Sequence, residues 1–159
     1  MNDNVPFEKA LNISYRMLAF RDYSSKRLYE LLKKRGVLPD IAFSVIEKLK
    51  ESGYLNDSLF AQKYIERCLN RKLCGPFYLQ AALLRAGVER EMAERTVCDC
   101  ISPEKEKELA VALVRQMREK TEISSPEKLK RILKNRGFSP AICLFALQED
   151  FGCCLDITP

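Results

Sequence analysis

The sequence predicts an all-α protein, a tandem array of three three-helix repeats, and three observations carry that reading. Apolar residues recur at i, i+3 and i+4 along most of the chain, and no segment alternates with period two, so no sheet is expected. Three segments align without gaps: "SKRLYELLKKRGVLPDIAFSVI" (25–46), "PFYLQAALLRAGVEREMAERTV" (76–97) and "PEKLKRILKNRGFSPAICLFAL" (126–147), at offsets of 51 and 50 residues. Each segment also holds a glycine at the same place, Gly36, Gly87 and Gly137, with Val37, Val88 or Phe138 directly after it.

The first unit spans 7–53. Phe7, Ala10, Leu11, Tyr15 and Leu18 fall on one face of an opening helix. Leu28 and Leu32 mark a second helix that Gly36 stops, and Ile41 and Ile46 mark a third. A glycine followed by an apolar residue is the Schellman ending, in which the residue past the cap packs back on the last turn.

"GYLND" (53–57) is the corner into the second unit, 56–101. Gly53 takes the left-handed conformation that costs other residues about 1–2 kcal/mol. Asn56 or Asp57 caps the next helix, and Tyr54 and Leu55 are expected beneath the helices as a plug. Phe60, Tyr64, Ile65 and Cys68 form the apolar face that follows. Gly75–Pro76 then start a helix carrying Leu79 and Leu83, with proline at the first helical position. Met92 and Val97 belong to the third helix of the unit.

The third unit, 103–149, repeats the scheme with Leu109, Leu113, Val114 and Met117, then Leu129 and Leu133, then Ile142 and Leu147. Ser102–Pro103, Ser125–Pro126 and Ser139–Pro140 each place a capping serine before a proline. Residues 150–159 are left as a tail. A unit of about 50 residues is marginal alone, so the units are expected to stack into an elongated, curved array with a long concave surface. The alternative is one compact nine-helix globule.

Composition narrows the function. The chain has 159 residues, 47% of them hydrophobic and 31% charged, as a helix-rich protein with a real core requires. No run reaches the roughly 18–20 apolar residues of a membrane span, and "MNDNVPFEKA" lacks a signal segment, so a cytoplasmic protein is expected. There is no histidine, no C-x-x-C pair, no G-x-x-x-x-G-K-[ST] and no G-x-G-x-x-G. An enzyme, a metal site, a cofactor and a small-molecule substrate are therefore not expected. The seven cysteines, Cys153 and Cys154 in the tail among them, read as reduced thiols, several of them buried. "PEKEKE" (103–108) reads as a solvated helix start.

Net charge is only +5, but it is unevenly placed. The second helix of the first unit carries Lys26, Arg27, Lys33, Lys34 and Arg35 against a single Glu30, and that of the third carries Lys128, Lys130, Arg131, Lys134 and Arg136. The middle unit has no acidic residue between Glu66 and Glu89, an interval that holds Arg67, Arg71, Lys72 and Arg85. Cations favour helix C-termini, which explains Lys33 and Lys34 but not Lys128, Lys130 and Arg131, placed near a helix start. A recurring basic face suits a polyanion or an acidic protein groove. Phe77 and Tyr78 stand where the other units have charged or polar residues. At least one ring is expected in the core, and the other is a candidate contact for a partner or a base.

"GYLNDSLFAQKYIERCLNRKLCGP" (53–76) resembles the signature of the RecX family of bacterial regulatory proteins, on the corner Gly53, Tyr54, Leu55 and Asp57, then Phe60–Ala61, then Gly75–Pro76. The resemblance extends over roughly 8–150 and takes in Gly36, Gly87 and Gly137. It implies tandem three-helix repeats and a protein that binds the RecA recombinase filament on single-stranded DNA, lies along its groove and inhibits its ATPase, strand-exchange and coprotease activities. By that resemblance the protein modulates recombination and the SOS response and has no catalytic residues. Family members often carry basic residues directly after the Gly-Pro. Phe77 and Tyr78 stand there instead, which moves the expected contact to Arg67, Arg71, Lys72 and Arg85. DNA, single- or double-stranded, is the second partner considered. The rival readings are a DNA-binding protein independent of RecA and a helical-repeat scaffold.

Overall fold

The structure, a computed structural model, describes residues 6–121 and 125–152. Nine helices and no strand occur among them: α1 (Phe7–Phe20), α2 (Ser25–Lys34), α3 (Pro39–Glu51), α4 (Asp57–Arg71), α5 (Pro76–Arg85), α6 (Arg90–Cys100), α7 (Pro103–Thr121), α8 (Pro126–Asn135) and α9 (Pro140–Phe151). They pack in three triplets, and each helix rests chiefly on the other two of its own triplet. Each triplet has its own core. Leu28, Leu32 and Leu49 fill the first, Ile65, Leu79 and Leu83 the second, and Leu113, Leu129 and Leu133 the third. Burying each of these side chains contributes about 1.5–3 kcal/mol. The result is an array of three repeats rather than a single nine-helix globule.

The glycine endings form as the sequence requires. Gly36, Gly53, Gly87 and Gly137 all have φ between 76° and 90°. Past each one, the next amide reaches back to close the last turn: Val37 to the Leu32 carbonyl, Tyr54 to Leu49, Val88 to Leu83 and Phe138 to Leu133, at 2.9–3.2 Å.

Four local expectations change. In the GYLND corner Leu55 is buried, but Tyr54 is 60% exposed and lies edge-on to Tyr15 with ring centroids 4.9 Å apart. Only one residue of the pair can fit beneath so short a link. Asn56 caps α4 by accepting from the Leu59 amide at 3.0 Å, which frees Asp57 for another helix. Ser102 caps α7 through the Lys105 amide, whereas neither Ser125 nor Ser139 makes a side-chain cap. In place of a serine cap at α9, Glu106 of α7 accepts the Ser139 amide at 2.8 Å and is itself buried. "PEKEKE" is thus not wholly solvated, because one of its carboxylates serves a neighbouring helix. Finally, α9 runs into the expected tail, with Asp150 paired to Arg118. Cys153 and Cys154 lie outside the described residues.

Candidate functional site

The triplets meet through one joint used twice. Ser24, the N-cap of α2, donates its hydroxyl to the Ala86 carbonyl at the end of α5, at 2.6 Å. One repeat on, Gly75, the N-cap of α5, donates its amide to the Arg136 carbonyl at the end of α8, at 2.8 Å. Ser24 and Gly75 are equivalent positions, as are Ala86 and Arg136. The middle helices α8, α5 and α2 therefore follow one another end to end, the C-terminus of each against the N-terminus of the next.

Glycine is needed because the ends come so close. A β-carbon on Gly87 would stand 2.7 Å from the Ser24 hydroxyl oxygen, and one on Gly137 would stand 2.6 Å from the Tyr78 β-carbon. Gly36, the equivalent at the upstream end of the array, has open space around it. Each joint has further ties. Asp57 accepts the free Ser25 amide of α2 at 2.7 Å, the Phe77 amide donates to the Gly137 carbonyl at 3.0 Å, and Arg136 donates to the Leu73 carbonyl at 3.2 Å.

Beside each joint lies a basic cleft. The first, of about 410 Å³, is lined by Arg21, Arg27, Arg67 and Arg71 together with Tyr23 and Tyr64. Arg67 pairs with Asp22 across the joint at 3.2 Å, and Arg27 pairs with Glu30 at 3.4 Å. Both pairs are exposed enough that water and salt screen them. The Arg21 guanidinium sits 4.6 Å from the centre of the Tyr23 ring and that of Arg67 5.8 Å from the Tyr64 ring. Arg71 pairs with no carboxylate among the described residues. The second cleft, of about 370 Å³, is lined by Arg71, Lys72 and Arg136, with Asn70 and Gln116 beside them. Arg71 lines both, so the two clefts join into one cationic band.

The structure sorts the sequence candidates onto two surfaces. Arg27, Arg67, Arg71 and Lys72 lie in the joint clefts. Lys26, Lys33, Lys34, Arg85, Lys128, Lys130, Arg131 and Lys134 are exposed on the middle helices α2, α5 and α8. The aromatic pair is divided as well. Tyr78 packs against the second core beneath the Lys72 ammonium, 3.7 Å from its ring centre, while Phe77 is 56% exposed. Arg21, Tyr23 and Tyr64 escaped the charge-counting argument. Arg21 falls in a link between helices, and a tyrosine on an apolar face gives no sign that its edge borders a cleft. Of the motif residues, Leu55 and Phe60 are core, and Gly53 is a cap.

Among the described residues no cluster of histidine, cysteine or acidic side chains could hold a metal ion. No described helix is long and apolar enough to cross a membrane. Burial pushes the thiol pKa values of Cys68, Cys74 and Cys143 up, that of Cys74 to about 11, so these sulfurs are held as neutral thiols rather than as nucleophiles.

Comparison with known proteins agrees with this architecture. Residues 10–49 match the family model described as RecX, first three-helix domain. The regulatory protein RecX of Caldanaerobacter subterraneus subsp. tengcongensis is 31% identical over 133 residues, covering 82% of this chain and 65% of that protein. The regulatory protein RecX of Geobacillus thermodenitrificans is 28% identical over 148 residues, covering 91% of this chain and 55% of that protein. The chain thus spans between half and two thirds of the length of these relatives. The crystal structure of RecX from Lactobacillus salivarius superposes with a TM-score of 0.82 over 90% of this chain and 95% of that one, at 22% identity.

Proposed function

Because the chain belongs to the RecX family, we propose that it is a regulatory protein that binds the RecA filament on single-stranded DNA and restrains its ATPase, recombinase and coprotease activities. The observation that carries this reading is the cationic band. Arg27, Arg67, Arg71, Lys72 and Arg136 run past two successive joints, and Arg71 belongs to both clefts. A small anion would need one cleft. A band that repeats with the fold matches a ligand that repeats, and guanidiniums suit phosphate oxygens because their planar forks donate in pairs.

The action follows from simple linkage. A rigid array that touches several filament subunits at once favours the arrangement it fits. Subunits that must change arrangement during ATP hydrolysis are then held back by the difference in binding free energy between the two states. The protein needs no catalytic residue for this.

The test is the ATPase of RecA on single-stranded DNA, titrated with this protein. Turnover is expected to fall at substoichiometric protein, and a variant with Lys130, Arg131 and Lys134 changed to glutamate is expected to need more protein for the same effect. Unchanged turnover at saturating protein, together with tight binding to naked DNA, would replace this reading with that of a plain DNA-binding protein.

A further inference from the structure

The outward face of the middle helices differs between repeats in a way that the cationic band leaves unexplained. Lys26, Glu30 and Lys33 lie on one face of α2, spaced i, i+4 and i+7. The equivalent positions are Glu127, Arg131 and Lys134 on α8, but Phe77, Ala81 and Leu84 on α5. All three residues of α5 are exposed, Phe77 by 56% and Leu84 by 40%. The chain therefore keeps an apolar stripe in water at the centre of the array, at the places where its own sister repeats have charge.

The joints decide what borders this stripe. The β-carbon of Lys26 lies 3.4 Å from where a β-carbon on Gly87 would stand, so Lys26 sits against the end of α5 that holds Leu84. At the other end the Phe77 amide bonds to the Gly137 carbonyl, and the Gly137 amide bonds in turn to the Lys134 carbonyl, so Phe77 sits against the last turn of α8. The stripe is bracketed by Lys26 and Lys134, neither of which pairs with a carboxylate among the described residues. An exposed aromatic on an apolar stripe flanked by long charged side chains is the pattern of an interface anchor.

We propose that this stripe docks on a protein, not on nucleic acid: a surface offering one or two apolar side chains flanked by carboxylates, with Phe77 as the inserted anchor. Charge complementarity selects that partner, since the apolar middle disfavours a phosphate backbone while the lysines at both ends attract acidic groups. The inference rests on the filament reading given above and sharpens it. The joint clefts face the nucleic acid, and the middle helices face the protein subunits.

Two binding measurements test it, one with RecA filaments assembled on oligo-dT with a non-hydrolysable ATP analogue, the other with labelled oligo-dT alone. Phe77→Ala with Leu84→Ala is expected to weaken filament binding by about tenfold or more, the loss of one anchor. Affinity for free oligo-dT should stay unchanged. Lys26→Glu with Lys134→Glu should act in the same direction, and circular dichroism checks that each variant is folded. Filament binding by both variants equal to that of the wild type would overturn the stripe while leaving the filament reading intact. Equal losses for filament and oligo-dT in a folded variant would make the stripe a nucleic-acid contact and overturn it too. A wild-type protein that binds oligo-dT but not the filament would remove the reading on which the stripe depends.

Discussion

A β-carbon on Gly75 would stand 2.7 Å from the Cα of Phe138, well inside van der Waals contact with backbone that cannot swing aside. Gly75 has φ −95°, which any residue can adopt, so its glycine is required by the neighbouring repeat and not by its own conformation. Gly36 is the reverse case, with φ +81° and nothing nearby. Gly75→Ala is expected to force the second joint apart and to cost about 1–3 kcal/mol as an overpacked contact. Gly36→Ala should cost only the left-handed strain of about 1–2 kcal/mol. Urea unfolding measures both. The difference in kind appears in function, since only Gly75→Ala should also weaken polyanion binding by disturbing the cleft.

The first joint relies on a hydroxyl where the second uses an amide. Ser24→Ala removes the bond to the Ala86 carbonyl and the cap on Arg27, which Ser24 accepts at 3.3 Å. Loss of a cap alone costs about 1 kcal/mol, and the part-buried Ala86 carbonyl left without its partner adds to it. Ser125→Ala, at the equivalent position on α8 but with no cap and no joint to serve, should be near neutral in the same thermal melt.

The Cys74 thiol, pushed up to about 11 by burial and by the neighbouring Cys68, with Lys72 and Arg136 pulling weakly the other way, gives a pH-dependent signature. In the unfolded chain this group ionises near its ordinary value of 9.0. Unfolding therefore releases a proton between pH 9 and 11, and stability falls as pH rises through that window. The urea midpoint should drop from pH 8 to pH 10.5, and less so in Cys74→Ala. In the native protein at pH 8 the thiolate fraction of Cys74 is roughly one in a thousand, so thiol reagents should modify exposed Cys98 and spare Cys74.

Arg71 lines both clefts, so its loss should register as a phosphate contact. Arg71→Ala is expected to weaken binding to single-stranded DNA uniformly across sequences. It should also lower the slope of log K against log salt by about one. A variant with an unchanged slope would show that Arg71 does not meet a phosphate.

Much of this protein is legible in its sequence because the information is periodic. The 51- and 50-residue offsets bring Leu28, Leu79 and Leu129 into register, and all three are core residues in the structure. The glycine endings were equally readable, since a positive φ leaves few alternatives to glycine. The candidate site was readable only as a list of cations. Counting charge along helices finds Arg67 and Arg71 and misses Arg21 and Tyr23, which come beside that pair only when the first and second repeats meet.

The sequence by itself determined the helices, their stops and the threefold repetition, because these depend on residues within a few turns of one another. Tertiary structure alone decided what Gly75 is for, which of Phe77 and Tyr78 faces water, and why Glu106 is buried. Each of those depends on an atom from a segment some 30 to 60 residues away, such as Ser139 for Glu106 or Gly137 for Gly75 and Phe77. Local periodicity cannot encode a contact between two helix ends. Only the packing of one repeat on the next brings them within bonding distance.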